Sequence, residues 1–240
     1  MSIYKVKLRS KQEIAAGTMA FHFDKPEGFR FKPGQFADCT LIDPAETDAE
    51  GNIRAFSLAS APHENFLLFA TRMRDSAFKR VLKTMELGTQ LTLDGPHGSF
   101  TLHNNAQIPA VFLTGGIGIT PVRSIVLQAA QDKLAHKIVL FYSNNRPEDA
   151  AFLDELIQAQ QDNPNYTCVS TMTQMERSSR AWHGETGFIT KAMLLKYLGD
   201  LSLPIYYIAG PRAMVLAMRT LLNEAGVDDD NIRTEEFSGY

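Results

Sequence analysis

The sequence predicts two domains: a small antiparallel β-barrel over residues 1–104, then an α/β domain with a five-stranded parallel sheet over residues 105–240. Three observations carry this. A chain of 240 residues is long for one ordinary domain and comfortable for two small ones. Up to about residue 104 the apolar residues fall in short runs separated by Pro/Gly turns. From Ile108 onward, short continuous apolar runs alternate with stretches of helical spacing.

In the first half, Met19, Phe21 and Phe23 fall on one face at every second position, the period-2 signature of a half-buried strand. Further strands are expected at Ile3–Leu8, Gln35–Ile42, Ile53–Ala59, Phe66–Met73 and Gln90–Leu93, with turns at Lys32-Pro-Gly34 and Asp94-Gly-Pro96. One helix is expected near Ser76–Met85. Six short strands suit a small closed barrel. In the second half, strands are expected at Ala110–Thr114, Ile138–Tyr142, Tyr166–Met172, Ile205–Ala209 and Ile232–Phe237. Between them, Val122, Ile125, Val126 and Ala129 recur at helical spacing, as do Phe152, Leu153, Leu156 and Ile157, and then Met214, Met218, Leu221 and Leu222. Alternating strands and helices argue for a parallel sheet covered on both faces. Thr120 before Pro121 reads as a helix N-cap, and Gly226 as the close of the last helix.

Composition narrows the function classes. A formal net charge of -3 gives no electrostatic case for nucleic acid. The two cysteines, Cys39 and Cys168, sit in strand-like apolar runs and read as small buried hydrophobes. Two thiols are too few for a cysteine-ligated iron–sulfur cluster, which takes four. The six histidines show no metal-ligand spacing, so no metal is expected. The N-terminal residues lack an apolar core and cleavage site of a signal peptide, and no apolar run is long enough to span a bilayer. A cytoplasmic protein is expected.

Two stretches carry chemistry. Thr114-Gly-Gly-Ile-Gly-Ile-Thr-Pro121 lies between the first strand of the parallel half and its helix. A plain strand-to-helix turn needs one glycine. Three within four residues, opening a helix whose free N–H groups attract anions, favour a nucleotide pyrophosphate site. The second stretch is Arg54-Ala-Phe-Ser-Leu-Ala-Ser60. Strand alternation puts Arg54 and Phe56 on one face and Ser57 on the other, so by pattern alone an ordinary strand accounts for it.

Six motifs in order alter that balance: Pro33-Gly-Gln-Phe36, Arg54-Ala-Phe-Ser57, Gly95-Pro-His-Gly98, Gly115-Gly-Ile-Gly-Ile-Thr-Pro121, Ala209-Gly-Pro211 and Glu235-Glu-Phe237. Together they cover nearly the whole chain and resemble the ferredoxin–NADP reductase superfamily. The resemblance implies an FAD-binding antiparallel barrel followed by a pyridine-nucleotide-binding α/β domain, and an FAD-dependent NAD(P)H oxidoreductase. It implies that Arg54 holds the FAD pyrophosphate, that Ala55 and Phe56 border the flavin, and that Ser57 approaches N5. Arg72, Met73, Ser76, Ala77 and Phe78 would complete the FAD phosphate site. Thr114, Gly115, Gly116, Ile117, Gly118, Ile119, Thr120 and Pro121 would receive NADPH or NADH, with Gly210 and Pro211 lining the nicotinamide pocket. Glu235 would relay or stabilise a proton, and Phe237 would cover the isoalloxazine ring, with Tyr240 as the alternative shield.

The chain departs from the family pattern in three places. Phe56 stands where tyrosine is frequent, Arg74-Asp-Ser-Ala-Phe-Lys79 replaces a glycine-rich helix start, and Ala209 replaces a cysteine. The resemblance implies onward transfer to a separate carrier such as ferredoxin or flavodoxin. The basic residues Arg72, Arg74, Lys79, Arg80 and Lys83 are candidates to neutralise FAD or to dock an acidic carrier. The acidic stretch Asp43–Gly51 is expected to be a plain surface loop. Two rivals stay open: a reductase of free flavin, quinone or other small acceptors, and a bound-flavin subunit of a larger complex. Arg177 and Arg180 are candidate 2′-phosphate ligands and tilt the expectation slightly toward NADPH.

Overall fold

The computed structural model describes residues Ile3–Phe237. The first half contains β1 (Ile3–Ala15), β2 (Thr18–Asp24), β3 (Phe36–Leu41), β4 (Ile53–Ser57), β5 (Phe66–Arg72), α1 (Ala77–Thr84) and β6 (Gln90–His97). These strands form one antiparallel sheet in the order β4-β3-β6-β1-β2-β5. Its ends approach each other, with Ala59 N–H donating to Leu68 O at 2.9 Å just beyond β4. Val6, Leu8, Phe21, Phe23, Leu67 and Phe69 fill the interior with α1, whose Phe78 and Leu82 plug one end.

Both faces of β2 and β5 are buried. Phe21 and Phe69 point into the barrel, whereas Ala20, Leu68 and Ala70 pack with Ile117 of the second half. Small residues on that outer face let the two halves approach closely.

The second half contains β7 (Ala110–Gly115), α2 (Ile119–Gln131), β8 (Ile138–Asn144), α3 (Leu153–Asp162), β9 (Tyr166–Met172), β10 (Glu185–Thr186), α4 (Lys191–Leu198), β11 (Ile205–Pro211), α5 (Arg212–Glu224) and β12 (Ile232–Phe237). The sheet is parallel throughout, in the order β10-β9-β8-β7-β11-β12. The five expected strands are joined by the two-residue β10, too short to show in the hydrophobic pattern. One face packs on α2 and α3 around Phe112, Leu140 and Tyr207, the other on α4 and α5 around Leu113, Phe141 and Ile208. The chain runs outward from β7 through β8 and β9, then returns to β11 on the other side of β7. The carboxyl ends of β7 and β11 therefore flank a topological switch point, where ligands bind in open α/β sheets.

Gly226 closes α5 as expected. It adopts φ +86°, its N–H donates to Asn223 O at 3.0 Å, and Val227 N–H donates to Leu222 O at 3.0 Å. Thr120 is not an N-cap. A 3₁₀ turn over Gly116–Gly118 precedes α2, which begins at Ile119, and the Thr120 hydroxyl instead donates back to Ile117 O at 3.0 Å. The extra turn moves the helix start two residues upstream, from Pro121 to Ile119. Among the described residues, no helix is long and apolar enough to cross a membrane, and no cluster of three or more potential metal ligands occurs.

Candidate functional site

Two cavities meet at the junction of the halves. One, of about 600 Å³, lies at the switch point and is bordered by Gly115, Gly116, Asn144, Thr173, Phe188 and Pro211. The other, of about 280 Å³, is bordered by Arg54, Phe56, Ser57, Thr71, Ile117 and Phe237. Arg72, at the end of β5, lines both.

The smaller cavity explains how Arg54, Ala55, Phe56 and Ser57 can act together despite strand alternation. β4 is an edge strand, so a ligand along its free edge meets side chains from both faces. Phe56 is backed by Phe78, with ring centroids 5.8 Å apart, and the Arg54 guanidinium lies 5.3 Å from the Phe78 centroid. Ser57 is buried, with 5 % of its surface exposed. Phe237 lies in the same wall as Phe56 and Ser57. Tyr240 lies outside the described residues.

Arg54, Arg72, Arg74 and Lys79 crowd one end of this cavity. Burial, then the neighbouring Arg74 and Arg54, push the Lys79 ammonium below its ordinary range. The Arg72 Nε is buried without a hydrogen-bond partner. Concentrated positive charge and an orphaned donor fit an anionic diphosphate. Ser76 and Ala77 start α1 beside this end; the Ser76 hydroxyl accepts from Lys79 N–H at 3.4 Å. Met73 and Phe78 pack in the barrel core and line neither cavity.

In the larger cavity the glycine-rich loop has a divided task. Gly115 and Gly116 border the switch-point cavity, and Ile117 and Thr120 border the smaller one. Thr114, Gly118, Ile119 and Pro121 are buried behind the loop and line neither. A β-carbon at Gly118 would lie 2.5 Å from the Ala209 carbonyl carbon and 2.7 Å from Gly210 Cα. Gly118 is thus required by the protein's own packing. Gly116 has φ +53°, a backbone state that favours glycine. Pro211 borders the cavity directly, whereas Gly210 sits behind it against the Gly115 backbone.

Three features escaped the sequence reading. Asn144, at the end of β8, borders the larger cavity with 7 % exposure, and neither atom of its carboxamide has a hydrogen-bond partner. Such a buried amide is costly unless a ligand satisfies it. Arg123 on α2 uses all five guanidinium donors. It donates to Glu155 at 2.6 and 2.7 Å, to Glu64 at 2.9 and 3.1 Å, and to Ala59 O at 2.7 Å. It thereby clamps the barrel half to the α/β half; a charge inside the apolar run Ile119–Val126 was its only sequence signal. The stretch Asp43–Gly51 is more than a surface loop: Asp48 accepts from Ala77 N–H at 2.8 Å, and Glu50 pairs with Arg54 at 2.7 Å.

Arg177 and Arg180 do not come together at the larger cavity. Glu148 accepts hydrogen bonds from Ser178 and Ser179, which turns the chain so that Arg180 lies 3.5 Å from Asp154 in a separate polar cleft. Arg177 is exposed and donates to Gln174 at 2.9 Å. Of the basic residues around α1, Arg80 is already paired with Glu46 and Asp75.

Glu235 shares a face of β12 with Phe237. Burial pushes its carboxyl up to about 7, and its Oε2 is buried with no partner. A folded-state value above the ordinary 4.5 means that the native state favours the protonated form. The associated stability is complete below about pH 4.5 and is lost as the pH rises through 7. Glu235→Gln, which removes the titration, should therefore raise stability at pH 8 by up to about 3 kcal/mol and change it little at pH 5. Thermal melts of both proteins at the two pH values check this; an equal effect at both would remove Glu235 as the titrating group.

Two cavities meet at the junction of the halves, and within the second half residues 112–220 match the oxidoreductase NAD-binding domain family. Its two-domain fold is shared with solved flavohem-like FAD/NAD-binding and ferredoxin NADP+ reductase structures. The chain is similar to the glycine betaine monooxygenase reductase subunit of Chromohalobacter salexigens (26% identity over 92% of the chain and 60% of the relative). It is also similar to the reductase component of propane 2-monooxygenase from Rhodococcus jostii (27% identity, 89% and 57%). It spans 57–60% of the length of these curated relatives. Among solved structures, the flavohem-like FAD/NAD-binding domain of nitric oxide dioxygenase from Vibrio cholerae superposes with a TM-score of 0.83 at 19% identity, covering 97% of this chain and 98% of that one. A ferredoxin NADP+ reductase from Neisseria gonorrhoeae with bound FAD and NADP gives 0.79 at 21%, covering 98% of each chain.

Proposed function

We propose that this chain is an FAD-dependent NADH oxidoreductase that passes electrons to a separate acceptor. The barrel half, to about residue 104, holds FAD and the remainder holds the nicotinamide nucleotide. The observation that carries this reading is the shared wall at Arg72, which brings the cation-rich cavity of β4 against the switch-point cavity. Bound FAD would accept a hydride from the nicotinamide and release electrons singly. The protein supplies the rest. Arg54, Arg72, Arg74 and Lys79 hold the flavin phosphates, Phe56 supports the ring system, and Ser57 presents a hydroxyl to its reactive edge. Gly115, Gly116 and Pro211 seat the nucleotide, and Asn144 offers a donor and an acceptor to its ribose hydroxyls. Phe237 excludes water from the flavin until the nicotinamide takes its place. Glu235, raised to about 7 by burial, exchanges a proton near neutral pH.

The purified protein should take up FAD and turn yellow, and NADH should bleach it anaerobically; a protein that binds no added FAD refutes the reading. Arg54→Ala should weaken FAD binding by roughly ten- to hundredfold, the worth of a charge-assisted phosphate contact of about 1.5–3 kcal/mol. Fluorescence titration checks this, and unchanged affinity would reduce Arg54 to a strand residue.

NADH is favoured over NADPH because neither Arg177 nor Arg180 borders the switch-point cavity, and its Asp149 is already held by Arg146 at 2.8 and 2.9 Å. Steady-state rates should be higher with NADH, and Arg177→Ala/Arg180→Ala should leave the ratio between the nucleotides unchanged. A loss confined to NADPH would restore the arginines as 2′-phosphate ligands. For the acceptor, the reading favours a protein carrier such as ferredoxin or flavodoxin, because relatives are reductase components of larger systems. Turnover with free flavin and quinone but no protein carrier would favour the small-acceptor alternative.

A further inference from the structure

We propose that the acidic loop 43–51 is a built-in occupant of the flavin phosphate subsite, keeping the carboxylates of Asp48 and Glu50 on its anchoring groups until a diphosphate displaces them. This rests on the flavin reading above and adds a device that sets which flavins bind and how readily they exchange.

The subsite has two anchors, the Arg54 guanidinium and the free N–H groups at the start of α1. Each already holds a carboxylate. Arg54 Nη2 lies 2.7 Å from Glu50 Oε2 and 3.6 Å from Asp48 Oδ1. Ala77 N–H donates to Asp48 Oδ2 at 2.8 Å. Arg54 Nη1 is also committed to the loop backbone, donating to Glu50 O at 2.9 Å and Gly51 O at 3.3 Å. The loop is shaped for this. Glu46, Asp48 and Glu50 occupy every second position. Glu46 is tethered to Arg80 at 2.6 and 2.9 Å, and Gly51 N–H closes a turn onto Asp48 O at 2.9 Å with Gly51 at φ +71°.

A diphosphate cannot share these donors with two carboxylates, since like charges a few ångströms apart repel. The loop must lift for FAD to seat. The exchange strands neither Arg54 nor the Ala77 N–H, because phosphate oxygens take over what the carboxylates release. Arg72, Arg74 and Lys79 border the cavity without a carboxylate partner among the described residues and would draw the diphosphate in. The cost of displacing the carboxylates falls only on flavins that carry phosphate at this position.

The test compares wild type with Asp48→Asn, Glu50→Gln and the double variant. Asparagine still caps a helix, and glutamine is nearly isosteric with glutamate, so both preserve the fold; thermal melts of the apoproteins check that. FAD, ADP and riboflavin are titrated against each by calorimetry. The double variant should bind FAD and ADP about tenfold tighter or more and release FAD more slowly, with riboflavin affinity unchanged. Equal or weaker FAD and ADP binding in the double variant overturns the proposal, as does an equal gain for riboflavin. If FAD binds all four proteins alike, the gate alone fails. If no flavin binds any of them, the flavin reading fails and the gate with it.

Discussion

Arg123→Ala should destabilise the protein by about 3–5 kcal/mol, because it strands Glu64 at the junction of the halves without its cation. For a chain of this size that corresponds to a fall in melting temperature of roughly 6–20 °C. Arg123 itself is 4 % exposed, and it touches Ala59 and Glu64 from one half and Glu155 from the other. Burial alone would push the Glu64 carboxyl up, but hydrogen bonds from Arg123 hold it below its ordinary range. The neighbouring bonds, Ser124 Oγ to Ser60 O at 2.7 Å and His63 N–H to Gln128 at 2.9 Å, lie along the same seam and cannot replace five donors. The variant should also reduce flavin more slowly at saturating NADH, since the seam fixes how the two cavities face each other. Arg123→Lys should recover only part of either loss, because an ammonium is a point charge and not a planar fork. A melting temperature within a degree or two of wild type would show that the seam is held by apolar packing alone.

Gly118→Ala should be the most damaging single-methyl change in the nucleotide half. Its β-carbon would enter the backbone of β11, 2.5 Å from the Ala209 carbonyl carbon and 2.7 Å from Gly210 Cα. Overpacking against side chains costs about 1–3 kcal/mol; here the obstacle is main chain that cannot rotate aside, so a loss of about 3 kcal/mol or more is expected. Because Gly210 and Pro211 follow directly, NADH affinity should fall with stability while FAD retention in the barrel is unchanged. Gly116→Ala is the contrast. Its φ of +53° implies a strain of only about 1–2 kcal/mol, and its position at the cavity makes its main effect one on nucleotide affinity. Equal stability of wild type and Gly118→Ala, by denaturant unfolding, would show that β11 can move away from the loop.

The amino-acid sequence by itself determined the two-domain division, the order of strands and helices, and the places where chain turns meet chemistry. These are local or periodic properties. Alternation in Met19, Phe21 and Phe23 marks a strand, and helical recurrence from Val122 to Ala129 marks a helix, wherever those elements finally pack. The motif order from Pro33 to Phe237 carried the resemblance to the ferredoxin–NADP reductase superfamily.

What only the tertiary structure decided is which side chains share a space. Arg54 and Ser57 point to opposite faces of β4, and they meet at one cavity because β4 is an edge strand. Arg180, close in sequence to Arg177, is carried to another cleft by the hydrogen bonds that Glu148 accepts. Gly118 reads as a phosphate-binding glycine until β11, some ninety residues later, is laid against it. The acidic loop reads as solvated surface until the fold returns it to the start of α1, where Asp48 meets Ala77. Each of these depends on a partner distant in sequence, so no local pattern could carry it: charge pairing, burial and close approach are properties of the packed chain, while period and turn chemistry are properties of the sequence.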